Sequence, residues 1–393
     1  MIVGIDASNI RGGGGITHLS QLLGAARPEE HGIRRTVVWG GRTLLDQLPR
    51  RPWLDPIHQP WLDGGYISRM RWQATQLSKL AQDRCDLLLI PGGSYTGGYR
   101  PFVSMVQSAF PFAAREQRRY GLTWMRCRLT YLRWVQARTV RHAEGVIYPS
   151  EHCRALVAER VGRLRGRSAI VPHGVEARFA LRPRPQRSVH DYSQEQPYRL
   201  LYVSIIDQYK HQWKVAEAVC ALRMRGLPVA LDLVGTSYEP ALQRLRSTIR
   251  RLDPGGTYLW YRGPIPFSAM HTAYHAADGF VFASTCESFA LPVLEAMAAG
   301  LPIACSNQPP MSEMLGDGAE YFHPEDAADM AGALERMIRS PERRERLAQE
   351  AYARAQGYSW DRCAGETFSF LSQIANRAAE QPRAARGACW RTR

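Results

Sequence analysis

The sequence predicts an α/β protein of two Rossmann-like domains, each an α/β/α sandwich around a parallel sheet, and three observations support this. The chain has 393 residues, which is too many for one ordinary core and suits two domains. Short apolar runs alternate with helical segments, as in parallel sheets that are buried on both faces. Residues 182–197 are polar, contain prolines and lack periodicity, so they predict a linker. We therefore expect domains at 1–181 and 198–360, a terminal helix at 361–380 that could return to the first domain, and a disordered basic tail at 381–393.

Composition limits the class of protein. Apolar residues make up 45% of the chain, a globular content, and no run approaches the ~18 apolar residues that a membrane-spanning helix needs. The eight cysteines are scattered without a C-x-x-C pair, which argues against a zinc motif and against a disulfide framework. The first residues predict a strand and not a signal peptide. We therefore expect a cytoplasmic protein without a metal or another cofactor.

The net charge of +15 is unevenly distributed. Residues 1–180 contain 26 Lys and Arg against 13 Asp and Glu, whereas residues 181–393 contain 25 against 23. Such asymmetry indicates that the first half meets something anionic, for which a phospholipid surface, a lipid-diphosphate acceptor and nucleic acid are the alternatives. Nucleic acid is the weakest of the three, because the sequence has no recognised binding motif and no aromatic–basic platform.

The first half begins with a predicted strand, Ile2–Asp6, and a glycine loop that leads into a predicted helix over 19–26. Consecutive glycines allow backbone N–H groups to wrap a phosphate or a sugar; here they are Gly12, Gly13, Gly14 and Gly15. The spacing is not G-x-G-x-x-G followed by a ribose-binding acid, so we reject a dinucleotide site. A merely flexible turn is the alternative.

Further elements of the first half follow the same alternation. Residues 41–80 are expected as helical pieces that four prolines interrupt, and Ser150 is a suitable N-cap for a helix over 151–160. Residues 169–175 close the domain, with His173 at a hinge. Further strands are predicted at 36–39, 86–90, 102–106 and 145–150.

A basic amphipathic helix is predicted over 124–142. It carries Arg126, Arg133 and Arg141 towards one side and aromatic residues on another. Helices of this kind can lie on an anionic membrane with tryptophans at the headgroup level. The alternative is a helix packed on the sheet with its charges in water. A peripheral contact at the inner face of the plasma membrane is thus one hypothesis for this domain.

The second half repeats the alternation of strands and helices. Its predicted strands lie at 199–204, 229–234, 258–262, 279–283, 302–306 and 320–322. Its predicted helices lie at 214–225, 268–276, 292–299, 311–315, 326–340, 341–356 and 360–378.

The most informative stretch of the sequence is 279–302, a buried strand, a polar turn and a helix that begins near Pro292. A helix N-terminus at the carboxyl end of a parallel strand favours an anion such as phosphate. Glu287 in the turn and Glu295 in the first helical turn flank that position. Carboxylates beside a phosphate site suit partners with hydroxyl groups, such as a ribose diol or a hexose. The alternative is two solvated glutamates near a helix start, where acids are favoured anyway.

This stretch resembles the donor-binding signature of retaining glycosyltransferase family 4, whose members have the GT-B fold. The family carries E-x7-E in the context E-G-F-G-L-P-x-x-E-A-M-A-x-G-x-P, and residues 287–302 read ESFALPVLEAMAAGLP. Ser288 and Ala290 replace the two glycines of the family. In the G-R-L-x-x-x-K-G segment of the family, Lys210 matches the lysine, but Ile205 stands at the arginine position.

The resemblance implies a role for each matching position. Glu295 would hold the ribose diol, and Glu287 would bind donor-sugar hydroxyls and offset positive charge at the anomeric carbon. Lys210 and the 289–291 amides would stabilise the leaving diphosphate. The remaining donor and acceptor positions would be Ser288, Phe289, Ala290 and Leu291, the backbone at Gly263 and Pro264 against the nucleobase, and the loop residues Gly13, Gly14 and Gly15. Family members often have His or Asn where this chain has Gln107 and Ser108, so no role is transferred there.

The resemblance implies two domains that face a cleft, and transfer of a hexosyl group with retention from a nucleotide diphosphate sugar to a saccharide or lipid-linked saccharide. GDP-mannose is the first guess for the donor, and synthesis of a bacterial surface polysaccharide or lipopolysaccharide is the expected role. No D-x-D motif occurs, so no essential metal is predicted. The alternatives are a GT-B epimerase acting on nucleotide sugars and a non-catalytic GT-B scaffold, because Ile205, Gln107 and Ser108 depart from the family pattern.

Overall fold

The computed structural model describes residues 1–380. The chain folds into two compact units. Of the described residues, the first unit contains 1–117, 121–174 and 359–380, and the second contains 118–120 and 175–358. The predicted basic tail, residues 381–393, lies outside the described residues.

The strands are short, and most of their residues are buried. In chain order they are β1 (Ile2–Asp6), β2 (Arg35–Gly40), β3 (Leu54–His58), β4 (Leu87–Ile90), β5 (Phe102–Met105), β6 (Gly145–Tyr148), β7 (Arg167–Ile170), β8 (Tyr198–Val203), β9 (Val229–Val234), β10 (Leu259–Gly263), β11 (Gly279–Phe282), β12 (Ile303–Ser306) and β13 (Glu320–Phe322).

Helices connect the strands. In chain order they are α1 (Gly14–Ala25), α2 (Arg42–Leu45), α3 (Pro60–Asp63), α4 (Tyr66–Trp72), α5 (Ser78–Arg84), α6 (Ala114–Gln117), α7 (Trp124–His142), α8 (Glu151–Val161), α9 (Gln212–Met224), α10 (Glu239–Leu252), α11 (Met270–Ala276), α12 (Leu291–Ala298), α13 (Met311–Leu315), α14 (Ala327–Arg339), α15 (Pro341–Ala355) and α16 (Trp360–Glu380). Within residues 1–380, no helix combines the length and the apolarity that crossing a bilayer requires.

Both sheets are parallel and doubly wound. The first unit has the strand order β3-β2-β1-β4-β5-β6-β7, and the second has β10-β9-β8-β11-β12-β13. In each sheet the chain starts at an inner strand, builds outward to one edge, and then returns to build the other side. The order therefore reverses between β1 and β4 in the first unit and between β8 and β11 in the second. Open α/β sheets bind ligands at such reversals, outside the carboxyl ends of the strands. The predicted pair of Rossmann-like α/β/α sheets is confirmed.

Each sheet of the two units is covered by apolar side chains. In the first unit, one layer packs α1 and α16 against the sheet, with Leu19, Leu22 and Phe368 fully or almost fully buried. A second cluster contains Trp72, Val157 and other buried residues. In the second unit a single large cluster surrounds the strands and includes all of Gly279–Phe282 except the glycine. The helix that ends the described chain thus completes the core of the first unit.

Three local features differ from the sequence-based predictions. Residues 54–58, expected among helical pieces, form β3, which pairs only with β2 and so lies at a sheet edge. Pro56 is tolerated there because an edge strand has one side without ladder partners. Helix α1 begins at Gly14 and not at Leu19, so Gly14 and Gly15 belong to its first turn. Helix α10, which was not predicted, buries Leu242 and Leu245 on one face.

The segment expected as a linker, 182–197, packs closely on the second unit. Tyr192 is buried in the core of that unit. The guanidinium of Arg344, itself fully buried, donates to the carbonyl oxygens of Ile338 and Arg187 and to the side chain of Gln186. A buried arginine is stable here because its donors meet carbonyl and amide acceptors. Polar composition alone could not distinguish this packed segment from a free linker.

Candidate functional site

The loops that follow β8 and β11 lie on the two sides of the strand reversal in the second unit. The first loop ends in a short turn, Gln208–Lys210, before α9. The second runs from Ala283 to Ala290, where α12 begins. The two loops are joined by Thr285, whose amide and hydroxyl both donate to the carbonyl oxygen of Tyr209, at 2.9 and 3.2 Å. The predicted residues Lys210 and Glu287 are therefore brought together by neighbouring loops.

Lys210 and Glu287 form a buried ion pair. The ammonium group donates to Glu287 Oε1, and the two side chains are 6% and 14% exposed. The ammonium also lies 4.9 Å from the ring centroid of Phe282 and 5.0 Å from that of Tyr209. The negative faces of these rings contribute further to holding a desolvated cation. The arrangement places a cation where an anionic group can compete with Glu287 for its donors.

The side chain of Tyr202 connects the two loops through hydrogen bonds. It lies on β8 and is buried, and its hydroxyl donates to the carbonyl oxygen of Lys210 while accepting from the amide of Ala283 at 3.2 Å. Burial raises the pKa of Tyr202 well above its ordinary value, so the hydroxyl keeps its proton. One side chain thus sets the spacing between the backbone beside Lys210 and the start of the loop that carries Glu287.

Glu295 is the fifth of the eight residues of α12 and is 8% exposed. The hydroxyl of Tyr274, from α11, donates to Glu295 Oε2 at 2.7 Å. Burial raises the pKa of Glu295 to about 7, although the Tyr274 hydrogen bond acts in the opposite direction. The nearby carboxylate of Glu176 also raises this pKa, and Arg178 lowers it. The carboxyl group of Glu295 is thus buried and already accepts a hydrogen bond from one hydroxyl group, that of Tyr274. Such a group is suited to accept hydrogen bonds from the hydroxyls of a diol as well.

The residues between the two glutamates are mostly enclosed. Ala290 is fully buried, Phe289 is 8% exposed, and the amide of Leu291 donates to the carbonyl oxygen of Phe289 at 3.2 Å. The Leu291 amide thus has a backbone partner in this conformation. Ser288 is half-buried in the same loop. Binding of a diphosphate by the 289–291 amides stays a prediction.

Gly263 and Pro264 lie at the end of β10, two strands from the reversal. Gly263 adopts a φ of 76°, which favours glycine, and its carbonyl oxygen accepts from the amide of Gly235 at 2.9 Å. Gly235 approaches the carbonyl oxygen of Ser204 so closely that a Cβ would lie 2.0 Å from it. These contacts hold the carboxyl ends of β8, β9 and β10 in one tight edge beside the candidate site.

The first unit has its own cavity, of about 180 Å³, at the reversal between β1 and β4. Its lining comes from the loops after β1, β4 and β5 and from Gln136 of α7. Of the four loop glycines, Gly12 and Gly15 line the cavity, together with Gln107 and Ser108, to which no role was assigned. Gly13 has a φ of 56° at the N-cap of α1, a conformation that favours glycine. The predicted loop is thus a helix start beside a polar cavity.

Sequence reasoning missed Tyr202 and Tyr274, since tyrosines in buried elements read as core residues. Their hydroxyl partners lie 8 to 81 positions away in the chain, and no sequence spacing indicates such contacts. Ile205, at the arginine position of the family signature, is 38% exposed at the end of β8 and supplies no charge. The family signature has two cations after this strand, an arginine and a lysine. In the described chain only the lysine of that pair is present, as Lys210.

The sequence of the second unit resembles that of known proteins. Residues 187–354 match the family model of glycosyl transferases group 1. The O-antigen chain mannosyltransferase B of Escherichia coli is 31% identical over 112 residues, 28% of this chain and 29% of that protein. The alpha-monoglucosyldiacylglycerol synthase of Streptococcus pneumoniae is 29% identical over 217 residues, 53% of this chain and 47% of that protein. The matched regions thus span less than half the length of these two relatives.

Solved structures extend the likeness to both units. Anabaena HepE in complex with UDP-glucose superposes with a TM-score of 0.66 and 17% identity, over 97% of this chain and 100% of that one. At that identity the likeness is one of fold. The predicted resemblance to glycosyltransferases with the GT-B fold is confirmed. Residues 187–354 are thus similar to the glycosyl transferases of group 1, and the chain that contains them has the GT-B fold.

Proposed function

We propose that this protein is a retaining, metal-independent hexosyltransferase that uses a nucleotide diphosphate sugar. The observation that carries the proposal is the buried Lys210–Glu287 pair on the two loops at the strand reversal. The enclosed carboxyl group of Glu295 follows on the adjoining helix. A desolvated cation suits a diphosphate, and the two carboxyl groups suit the hydroxyls of a ribose and a hexose. The group 1 glycosyl transferase match over 187–354 supports this assignment.

In the proposed reaction, Lys210 turns from Glu287 to the diphosphate and stabilises the charge that grows there as the anomeric carbon–oxygen bond breaks. Glu287, released from the ion pair, accepts from donor-sugar hydroxyls and offsets positive charge at the anomeric carbon. A hydroxyl of the acceptor forms the new bond on the same face, and its proton passes to the leaving phosphate oxygen. Configuration is then retained without a glutamate nucleophile.

The relatives support a choice of donor, and the cavity of the first unit supports a place for the acceptor. An O-antigen mannosyltransferase is among them, so GDP-mannose is the first candidate donor. HepE was crystallised with UDP-glucose, which makes UDP-glucose the second. We assign the acceptor, a saccharide or lipid-linked saccharide of surface polysaccharide synthesis, to the polar cavity of the first unit that Gln107, Ser108 and Gly15 line. A 180 Å³ cavity holds no more than part of such a molecule, so most of the acceptor would lie outside it.

Peripheral attachment to an anionic membrane is part of the proposal. The exposed residues Trp124, Cys127, Arg128, Tyr131 and Trp134 follow one another at helical spacing along α7. That helix contains five arginines and no acidic residue. Exposed tryptophans among arginines suit the interface of a bilayer with acidic headgroups. Attachment of this kind would bring the protein to lipid-linked acceptors at the cytoplasmic face.

The experiment is a screen of radiolabelled GDP-, UDP- and dTDP-sugars with the full chain, followed by transfer assays with lipid-linked saccharides. We expect one donor to raise the melting temperature and to be consumed. The variants Glu295→Ala and Lys210→Ala should lose at least about a hundredfold in kcat/KM, whereas Glu239→Ala, on the exposed start of α10, should not. Wild-type rates in both site variants would refute the assignment. Donor binding without turnover would favour a scaffold, and epimerised nucleotide sugar an epimerase.

A further inference from the structure

Three side chains with metal-ligating atoms meet inside the first unit, separate from the Lys210, Glu287 and Glu295 site of the second unit. They are His18 of α1, His173 after β7 and Cys363 of α16. One ligand atom from each lies within 4.8 Å of the other two. The residues are 2%, 7% and 1% exposed. It is the one such group of His, Cys, Asp or Glu among residues 1–380.

The backbone is shaped to bring these residues together. A Cβ at Gly174 would lie 2.2 Å from the backbone nitrogen of Trp360, so only glycine allows this approach of the chain to the start of α16. As a result the ring of His173 stacks on Trp360 with centroids 6.1 Å apart, and His18 meets the same indole edge-on at 5.5 Å. The indole closes one side of the cluster. The cluster is therefore fixed by packing, and its three residues are almost fully buried.

The polar atoms of His18 are incompletely matched by the protein. Its Nδ1 lies 3.0 Å from Nε2 of Gln107, whereas its buried Nε2 has no hydrogen-bond partner. Which amide atom of a glutamine faces a histidine is an assignment from the surrounding hydrogen bonds. With the Gln107 amide turned, its oxygen accepts a hydrogen bond from Nδ1–H of His18. The lone pair of Nε2 is then available for a ligand. An acceptor on the far nitrogen of the ring commonly orients a metal-bound histidine in this way.

We propose that His18, His173 and Cys363 bind a zinc ion that fastens α16 to the rest of the first unit. Two imidazoles and a thiolate are ligands that Zn²⁺ prefers, and water would take the fourth position. With bonds of about 2.0–2.3 Å, the three atoms need to draw together by about 1 Å. The ligands come from positions 18, 173 and 363. Because these positions are far apart in the sequence, no C-x-x-C or H-x-x-x-H motif indicates the site.

Binding has a defined proton balance. The imidazoles bind zinc as neutral rings, and the cysteine binds it as a thiolate. The free thiol of a cysteine carries a proton at pH 7. A zinc ion would displace that proton to solvent and form the sulfur–zinc bond. One proton is therefore released for each zinc ion bound.

The test uses the full chain, stripped with a chelator and titrated with CoCl₂ and then with ZnCl₂. We expect a thiolate-to-cobalt charge-transfer absorption that saturates at one equivalent, is bleached by zinc, and accompanies release of one proton per metal in a weakly buffered solution. Zinc should also raise the melting temperature. None of these readouts depends on glycosyl transfer, so their failure leaves the proposed function standing, and the reverse holds too.

Variants locate the site. Cys363→Ser should lose the absorption and the zinc-dependent rise in melting temperature, and His18→Gln should lose the one-equivalent saturation. Cys127→Ser is the matched control, because Cys127 is an exposed thiol of the same unit. Absence of the band in the wild-type chain, its survival in Cys363→Ser, or its loss in Cys127→Ser would overturn the proposal. The wild-type titration decides the matter even if a variant fails to fold.

Discussion

At the scale of single residues, the pKa of Glu295 is raised by burial. In the proposed site, donor binding would therefore depend on the ionisation of Glu295. Burial favours the neutral form in the folded protein, so the pKa rises from 4.5 to about 7. The resulting contribution to stability is fully present below pH 4.5 and is lost as the pH rises through 7. The carboxylate, with two acceptor oxygens, is the form that can receive both hydroxyls of a ribose diol.

Donor affinity should therefore fall at low pH. We predict that the Kd of the nucleotide sugar is about tenfold higher at pH 6 than at pH 8, because the carboxylate fraction of Glu295 falls by that factor. Isothermal titration calorimetry across this range measures it. A diphosphate diester does not titrate there, and burial holds the pKa of His211 at about 4, so neither contributes. A Kd that does not change between pH 6 and pH 8 would contradict the role of Glu295.

Variants of the Lys210–Glu287 pair distinguish its contribution to the free energy of unfolding from its proposed contribution to donor turnover. Lys210→Met leaves a buried carboxylate without its cation and should lower the free energy of unfolding by about 3–5 kcal/mol. Adding Glu287→Gln removes that carboxylate, so the double variant should recover most of the loss. Donor turnover should not recover. Urea denaturation and a transfer assay on the wild type and these two variants test this. A double variant as unstable as Lys210→Met would show that the pair is not coupled.

The two tyrosines show why sequence-based prediction stops at this scale. The signature around Glu287 and Glu295 is readable, because its residues are neighbours in the chain. Tyr274 and Tyr202 contact Glu295 and the Lys210 backbone through tertiary packing, which has no local pattern. The same holds for the enclosed Ala290, which lies in the apolar cluster of the second unit.

At the scale of elements, the loops after β8 and β11 are held together by hydrogen bonds to the hydroxyl of Tyr202. Tyr202→Phe leaves the Ala283 amide without its acceptor and removes the donor to the Lys210 carbonyl. We predict a loss of about 2 kcal/mol in stability and a several-fold rise in donor Kd.

Tyr198→Phe is the matched control for that variant. Tyr198 lies at the other end of β8, where its hydroxyl donates to the carbonyl oxygen of Asp278 at 2.8 Å. This change should lower stability by a similar amount and leave donor Kd unchanged. Equal effects of both variants on donor Kd would argue that Tyr202 acts on stability alone.

Helix α7 is the element that the membrane proposal depends on. Trp124 and Trp134 are 82% and 62% exposed. We predict that the double variant Trp124→Ala/Trp134→Ala binds vesicles containing phosphatidylglycerol about tenfold more weakly than the wild type. Co-sedimentation measures this binding, which should also weaken with salt. Met224→Ala, which removes an exposed apolar side chain of the second unit, is the control. Equal binding to phosphatidylcholine vesicles would exclude the electrostatic part.

Elements were predictable where pattern and propensity agree. β1, β9, β11, α7 and α13 are close to their predicted bounds, since each has an apolar run or a helical period with clear ends. β3 was missed because Pro56 argues against a strand unless the strand is known to be an edge. The early start of α1 was missed because glycines are poor helix formers, although Gly14 and Gly15 occupy its first turn.

At the scale of the whole molecule, both units place their candidate binding groups at a strand reversal. In the first unit this is the cavity beside β1 and β4, and in the second it is the pair of loops beside β8 and β11. The alternation of strands and helices predicts the class of both sheets. The packing of 182–197 and of α16 could not be derived from composition, because it depends on Arg344 and on the cluster around Trp360.

A crystal structure of the full chain with its nucleotide sugar tests the proposed donor site most directly. We predict the ribose hydroxyls within hydrogen-bond distance of the Glu295 carboxylate and the diphosphate on Lys210, with the Lys210–Glu287 ion pair opened. A ligand bound elsewhere in the second unit, or a Glu295 carboxylate that touches only Tyr274 in the complex, would contradict the proposed site.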